Sequence, residues 1–228
     1  EIWDCNWFQQ VENSMHAVHL SFAHMWGMKN QFGMMVSGAG ELPELSYEET
    51  DSGVRQTARR SNGNVRVSDW TFPNNNHILA PGPTKSSPWG HVSVWATPID
   101  DTRTMRYRLF AFEGSSADVE QAVRDQDYDP GEHADTLFRG ELAGVPPQGV
   151  VSAQDYVAVR GQGAIVDREA ENLSTSDAGI IFLRKVFYRE LEAVRDAKPI
   201  KDWARLAEKV ELKQPPALDA ARAAEMVV

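Results

Sequence analysis

The sequence predicts an α+β fold, and three features of the 228-residue chain support this prediction. Residues 6–24 carry apolar side chains at helical spacing, from Trp7 to Phe22, with no proline to interrupt them. Short, partly alternating segments between about residues 47 and 112 are typical of strands. A second apolar stripe at helical spacing begins near Thr175 and ends before Pro199. A helix, a group of strands and a long helix in this order form an α+β pattern.

The predicted strands are close together in sequence, which favours antiparallel pairing because parallel strands need long crossover connections. Turn residues such as those at 62–64 and 100–101 separate them. Residues 29–46 are interpreted as an irregular loop, and residues 114–151 as a polar stretch with a short helix at 116–125. The expected strands are 54–58, 65–72, 77–80, 91–98 and 105–112.

The last predicted helix has a clear start signal. Ser176 and Asp177 stand in the cap position before its first turn. The apolar stripe that follows consists of Ile180, Leu183, Phe187, Leu191 and Val194.

Composition narrows the class of protein. A net charge of −10 argues against a nucleic-acid partner, since phosphate binding requires clustered basic residues. No apolar run approaches the roughly 20 residues that span a bilayer, and the first residues do not resemble a secretory signal. Cys5 is the one cysteine, so an internal disulfide is excluded and a reducing, cytoplasmic environment is expected.

The most informative residues are His19 and His24, which with Asp177 supply two imidazoles and a carboxylate. These are the ligands of a non-haem Fe(II) site that keeps coordination positions open. Residues five apart on a regular helix point about 140° away from each other, so the helix must end or distort between the two histidines. The residues alone leave a second interpretation open, with one core and one surface histidine and Asp177 as a helix N-cap.

Several segments together resemble one family. Residues 6–13 (NWFQQVEN) followed by His19 and His24 are similar to the catalytic domain of Rieske-type aromatic-ring-hydroxylating oxygenases, in the phthalate dioxygenase branch of large subunits. Residues 98–104, Gln154 with Asp155, and residues 161–181 fit the same family in the expected order. The resemblance extends from Asn6 to about residue 203, so residues 1–203 are expected to be the catalytic domain and residues 204–228 a peripheral tail.

The resemblance implies a fold, a metal and an activity. The fold is a helix-grip, a curved antiparallel sheet wrapped around a long C-terminal helix. His19, His24 and Asp177 would hold a mononuclear Fe(II), and Asn6 matches an asparagine near the iron. The expected reaction uses O2 to hydroxylate or oxidatively demethylate an aromatic substrate, an aromatic acid or an aryl ether. An alternative is a helix-grip domain that binds an apolar or aromatic ligand without catalysis or with impaired electron transfer.

Electron supply is where the sequence departs from the family. A Rieske [2Fe–2S] cluster needs two cysteines and two histidines, so the cluster is expected on an N-terminal domain that precedes Glu1. Electrons would come from NAD(P)H through a reductase or ferredoxin. The family has a bridging aspartate three residues before the first histidine ligand, where this chain has His16. Transfer between neighbouring subunits implies a homotrimer or stacked trimers.

The substrate pocket is predicted only from position. A carboxylated ring would need a cation, for which the candidates are Arg103, Arg106 and Arg184. The expected pocket residues are Phe22, Trp26, Phe72, Asn76, Val94 and Phe182.

Overall fold

The fold is built on a seven-stranded antiparallel sheet in the order β1-β7-β6-β5-β4-β3-β2. This computed structural model describes residues 1–25, 40–61, 63, 65–80, 89–112, 115, 117, 120, 124, 128–141, 144–146 and 149–204. The strands are β1 (Ile2–Trp3), β2 (Glu44–Glu49), β3 (Gly53–Arg59), β4 (Val65–Thr71), β5 (Asn75–Ala80), β6 (Gly90–Asp100) and β7 (Arg103–Ala111).

Five α-helices accompany the sheet within the described segments: α1 (Trp7–Met15), α2 (Val18–Phe22), α3 (Ala134–Phe138), α4 (Val150–Arg160) and α5 (Ala178–Arg195). Short 3-10 turns, Pro130–His133 and Thr175–Asp177, lead into α3 and α5. No helix of the described segments has the length and apolar character needed to cross a bilayer.

The α+β prediction and the antiparallel pairing of the five expected strands are confirmed. The long helix near Thr175 is confirmed as α5. Two strands and two helices are additional to the prediction: β1 is only two residues long, β2 begins inside the expected loop, α3 lies within the expected polar stretch, and α4 begins at its end. Only residues 117, 120 and 124 of the predicted helix at 116–125 are described, and the tail from residue 205 lies outside the described residues.

The main core lies between the inner face of the sheet and two helices, α1 and α5. Val54 and Trp70 are directly paired on β3 and β4 and are each 1% exposed. Helix α1 lies against β4 to β7, and α5 packs against α1. Two helices therefore share the inner face on which the helix-grip interpretation placed the C-terminal helix. The buried core residues are Phe8, Val11, Met15, Val54, Trp70, Ala96, Leu183, Val186 and Phe187.

The first prediction concerns this core. Leu183→Ala removes a side chain that is 0% exposed at the meeting point of α1, α5 and the sheet. We expect the free energy of unfolding to fall by about 2–5 kcal/mol, because transfer and cavity terms add. Urea denaturation measures the change. Leu191→Ala on the same helix is the matched control, since Leu191 is 49% exposed and should change stability by no more than about 0.5 kcal/mol. Equal losses for the two variants would contradict this assignment of the core.

Candidate metal centre

A break in the helical segment sets the directions of the histidines. Helix α1 ends at Met15, and His16 has a non-helical backbone with φ −99° and ψ 76°. Helix α2 then contains His19 and ends at Phe22, so His24 lies beyond its C-terminal end. The condition that the helix must end between His19 and His24 is confirmed, and the two rings lie 4.8 Å apart in an edge-to-face arrangement.

Both histidines direct the same ring nitrogen at one carboxylate, that of Asp155 on α4. The Nε2 atom of His24 lies 2.9 Å from Asp155 Oδ1, and the Nε2 atom of His19 lies 3.5 Å from it. Among the described residues, this is the one group of three or more potential ligands whose donor atoms all lie within 4.8 Å of one another. The ring of His24 is 2% exposed, so the group is largely shielded from solvent.

The other ring nitrogen of each histidine has its own acceptor. The Nδ1 atom of His19 donates to the backbone carbonyl of His16, and Nδ1 of His24 donates to Gln154 Oε1 at 3.0 Å. When the ring is neutral, an acceptor at Nδ1 favours the tautomer in which the lone pair is on Nε2, which is the form that binds a metal. The helix break at His16 therefore supplies the carbonyl that orients His19, and α4 supplies both the acceptor and the carboxylate for His24.

The carboxylate of Asp155 is also held by Asn13, whose Nδ2 atom donates to the same Oδ1 atom at 3.0 Å. Asn13 was not among the predicted site residues, although Asn13 lies about one helical turn before the break at His16. Helix α1 is itself joined to the segment around the end of α4 by the buried Gln9. The side-chain amide of Gln9 donates to the carbonyls of Val159 and Gly163, both at 3.1 Å.

The electrostatics follow from burial and from the single negative charge. Burial lowers the pKa of His19 to about 4, despite the opposing effect of Asp155. Burial also disfavours the charged form of His24, but the charge and hydrogen bond of Asp155 outweigh it and raise the pKa of His24. Burial alone would raise the pKa of Asp155, yet His24 and His19 hold it well below its usual range. The carboxylate is therefore ionised, and His19 is neutral, at physiological pH.

Asp177 is placed differently from the predicted ligand set and is not part of the group around His24. Its Oδ2 atom accepts a hydrogen bond from the backbone N–H of Ser174 at 2.8 Å in a capping box at the 3-10 turn before α5. Its Oδ1 atom lies 3.5 Å from Nε2 of His16. The structure thus brings Asp155, not Asp177, to the two histidines, because Asp177 is engaged in capping the last helix.

Asp155 was recognisable in part from the sequence. The pair of Gln154 and Asp155 fits the family motif, but the helix that carries it was not predicted because its valines and tyrosine favour strands. Apolar residues at intervals of three were the available signal, and these are buried in the structure: Val150, Ala153, Tyr156 and Val159.

The other predicted site residues, Asn6 and His16, flank α1 and form hydrogen bonds there. Asn6 is the N-cap of α1: its Oδ1 accepts from Phe8 N at 3.1 Å, and its Nδ2 donates to Asp101 O at 2.9 Å. The amide beside the carboxylate group is that of Asn13 instead. His16 contributes its carbonyl to His19 and stacks its ring on that of His19, with centroids 5.8 Å apart.

The six expected pocket residues divide into three groups. Asn76 and Val94 line a cleft of about 340 Å³, counting the part open to solvent, which also reaches Asn13. Phe72 stacks on Trp203 and Phe182 on Tyr47, so both pack beside the core. Phe22 is 51% exposed, and Trp26 lies outside the described residues.

Two imidazole nitrogens and one carboxylate oxygen form the donor set typical of mononuclear non-haem Fe(II) sites. The outer hydrogen bonds at both Nδ1 atoms and at Asp155 are the kind that orient metal ligands. His19, His24 and Asp155 therefore fit such a metal. Cys5 is not part of this group of donors, and burial raises the pKa of its thiol to about 12.

Comparison with known proteins finds oxygenase subunits as relatives. No protein-family model matches the chain. It is 28% identical over 193 residues to the 5,5'-dehydrodivanillate O-demethylase oxygenase subunit of Sphingobium sp. strain NBRC 103272 / SYK-6, covering 83% of this chain and 42% of the relative. It is 24% identical over 217 residues to the tert-butanol monooxygenase / tert-amyl alcohol desaturase oxygenase subunit of Aquincola tertiaricarbonis, covering 88% of this chain and 45% of the relative.

The chain is a relative of Rieske-type oxygenase subunits. Solved structures agree on the fold. The QL mutant of NdmA from Pseudomonas putida CBB5, determined with caffeine, matches with a TM-score of 0.59 at 18% identity, over 86% of this chain and 50% of that one. NdmB of the same strain matches with a TM-score of 0.56 at 14% identity, over 87% of this chain and 50% of that one. This Rieske-oxygenase relative spans less than half the length of the curated relatives it matches.

The second prediction tests the electrostatics of the site. In metal-stripped protein, Asp155→Asn should move the pKa of His24 from above its ordinary value to below it, because the anion is removed while burial remains. Titration of the histidine ring protons by NMR measures the change. His77 is the internal control, since its pKa is set by burial, His91 and Asp69. An unchanged His24 pKa in the variant would contradict the assignment of Asp155 as its partner.

Proposed function

We propose that the chain is the catalytic domain of a Rieske-type oxygenase that uses a mononuclear Fe(II) and O2 to demethylate or hydroxylate an aromatic substrate, an aromatic acid or an aryl ether. The observation that carries the proposal is the convergence of His19, His24 and Asp155 on one point. The printed activities of the curated relatives, O-demethylation and alcohol monooxygenation, support the reaction class. The match to a demethylase of an aromatic compound favours the aryl ether.

His19, His24 and Asp155 would bind the metal, and neighbouring residues would orient these three ligands. Fe(II) in this donor set supplies the redox chemistry that activates O2. His19 and His24 present neutral Nε2 atoms, and Asp155 provides the charge. Asn13, Gln154 and the His16 carbonyl fix the orientation of these three ligands. The burial of His24 excludes water from that side, which strengthens the electrostatic interactions within the site.

Electrons would reach the site from a [2Fe–2S] cluster that this chain, with one cysteine, does not itself provide. We place the entry point at His16 and Asp177. The family has a bridging aspartate where this chain has His16, and the carboxylate of Asp177 lies 3.5 Å from the His16 ring. The pair thus combines an imidazole with a negative charge. The backbone carbonyl of His16 in turn accepts a hydrogen bond from the His19 ring, which links the pair to the proposed metal ligand. A neighbouring subunit in a trimer would supply the cluster, reduced by a reductase or ferredoxin.

The third prediction separates the two aspartates. Asp155→Asn should lower the iron content of anaerobically purified protein by at least about tenfold, because it removes the only charged ligand. Asp177→Asn should leave iron content near that of the unmodified protein. Metal analysis and circular dichroism on the same samples check content and folding. Loss of iron from Asp177→Asn with retention in Asp155→Asn would reverse the ligand assignment, and no iron in any sample would reject the metal centre.

The fourth prediction concerns electron entry. In the full protein with its Rieske domain and a reductase, Asp177→Asn should slow single-turnover product formation about 10-fold or more while iron content and substrate affinity are unchanged. Asp196→Asn is the matched control, since Asp196 pairs with Arg195 and Lys198 at the exposed end of α5. An unchanged rate for Asp177→Asn would contradict the proposed route. Ligand binding without turnover on every aromatic ether and acid tested would favour a binding domain.

A further inference from the structure

Two arginines stand on the inner face of the sheet beyond the apolar core. Residues on β3 alternate, so Arg60 continues the buried row of Val54, Gln56 and Ala58 just after the strand ends. On β4, Arg66 pairs across from Ala58 and shares its face with Ser68 and Trp70. Both arginines are thus placed where side chains point at the helices rather than at solvent.

Arg60 is buried and Arg66 is half-buried, and both have buried side-chain nitrogens without hydrogen-bond partners. Arg60 is 6% exposed, and none of its three side-chain nitrogens has a partner in the part of the chain that the structure describes. The Nε atom of Arg66 is also buried and unpartnered. Burial lowers the pKa of Arg60, and burial with the charge of Arg60 lowers the pKa of Arg66 to about 10, so both remain charged at neutral pH. The charges of Glu41 and Asp155 act on Arg60 and Arg66, respectively, without accepting hydrogen bonds from these nitrogens. A buried cation without acceptors is costly to the fold, so its retention calls for a ligand.

The arginines that the sequence suggested for a carboxylated substrate are already paired. Arg103 binds Asp100 in an exposed turn, and Arg106 binds Glu1 and Ser152. Arg184 binds Glu12 and Glu171, with both carboxylates 2.6 Å from its nitrogens. Pairing leaves these three with little capacity for a further anion.

The unpartnered arginines lie beside the metal centre. Ala58, which stands between them on the sheet, packs against Ala17 and Leu20, and Leu20 is next to His19 on α2. The charge of Arg66 is close enough to act on His24, and that of Asp155 acts on Arg66. Asp155 already accepts hydrogen bonds from His24 and Asn13 and makes none with Arg66.

We propose that Arg66, supported by Arg60, forms an anion subsite beside the metal centre that binds the carboxylate of an aromatic acid. A guanidinium matches a carboxylate with two parallel hydrogen bonds, which fixes the orientation of the bound molecule as well as its affinity. This inference rests on the proposed function, because it takes the bound acid to be the substrate. It deepens that function by selecting an aromatic substrate that carries a carboxylate, including an aryl ether of an aromatic acid, over a neutral aryl ether.

The experiment compares two probes of nearly equal shape, 3-methoxybenzoate and 3-methoxybenzamide, by calorimetry and thermal shift. The protein should bind the acid at least about tenfold more tightly than the amide. Arg66→Met should abolish this preference by weakening the acid alone. Its melting temperature without ligand should stay the same or rise, because a buried uncompensated charge is removed. A purely structural arginine would instead lower the melting temperature and leave the preference unchanged.

Arg103→Met is the matched control and should alter neither affinity, since Arg103 is in an exposed pair with Asp100. Equal affinity for acid and amide, or no binding of the acid, would overturn the proposal, as would an unchanged acid affinity in Arg66→Met. If Arg66→Met does not fold, the preference for the acid over the amide is compared between the unmodified protein and Arg66→Lys, and this comparison tests the proposal. Iron content is measured on the same samples. A protein without iron that still prefers the acid would retain the subsite while rejecting the oxygenase.

Discussion

The buried carboxylate of Asp155 is the constraint on which the arrangement of the helices depends. An ionised carboxylate away from water requires polar partners on its oxygens, and the partners of Asp155 on α4 come from two directions. Asn13 approaches from α1, and the Nε2 atoms of His24 and His19 approach from α2 and the segment after it. Moving any one of these helices would leave the charge unsatisfied, so the site and the packing of the helices are specified together.

A second set of buried polar contacts holds α1 in the position from which Asn13 reaches Asp155. Both polar atoms of the Gln9 amide bond to the backbone around the end of α4. The nitrogen donates to the carbonyls of Val159 and Gly163, and the oxygen accepts from Val166 N at 3.1 Å. Glu12, 5% exposed, accepts from Arg168 and Arg184. The apolar residues of α1 face the sheet and α5, while its polar residues determine how the helix is rotated and displaced. Apolar packing supplies stability here, and the polar contacts supply position.

The elements with a regular apolar pattern could be predicted from the sequence, and those determined by tertiary contacts could not. The five central strands and α5 carry their own periodicity. Helix α4 has apolar residues at intervals of three, but its valines and tyrosine are residue types typical of strands, so its helical form was not evident. His19 and His24 were identified by residue type and spacing. The choice between Asp155 and Asp177 could not be made in this way. It depends on which carboxylate the fold brings next to the histidines, from a position more than 130 residues away in the sequence.

The separation of the ligands along the chain has a consequence for synthesis of the protein. His24 and Asp155 are 131 residues apart, with nearly the whole sheet between them. At about 5–20 residues per second, a ribosome needs roughly 7 to 26 seconds to proceed from one to the other. During that interval the nascent chain presents two histidines and no carboxylate to complete the set. In the proposed metal centre, the set of three ligands is therefore complete only after the sheet and the first part of the fourth helix have been synthesised.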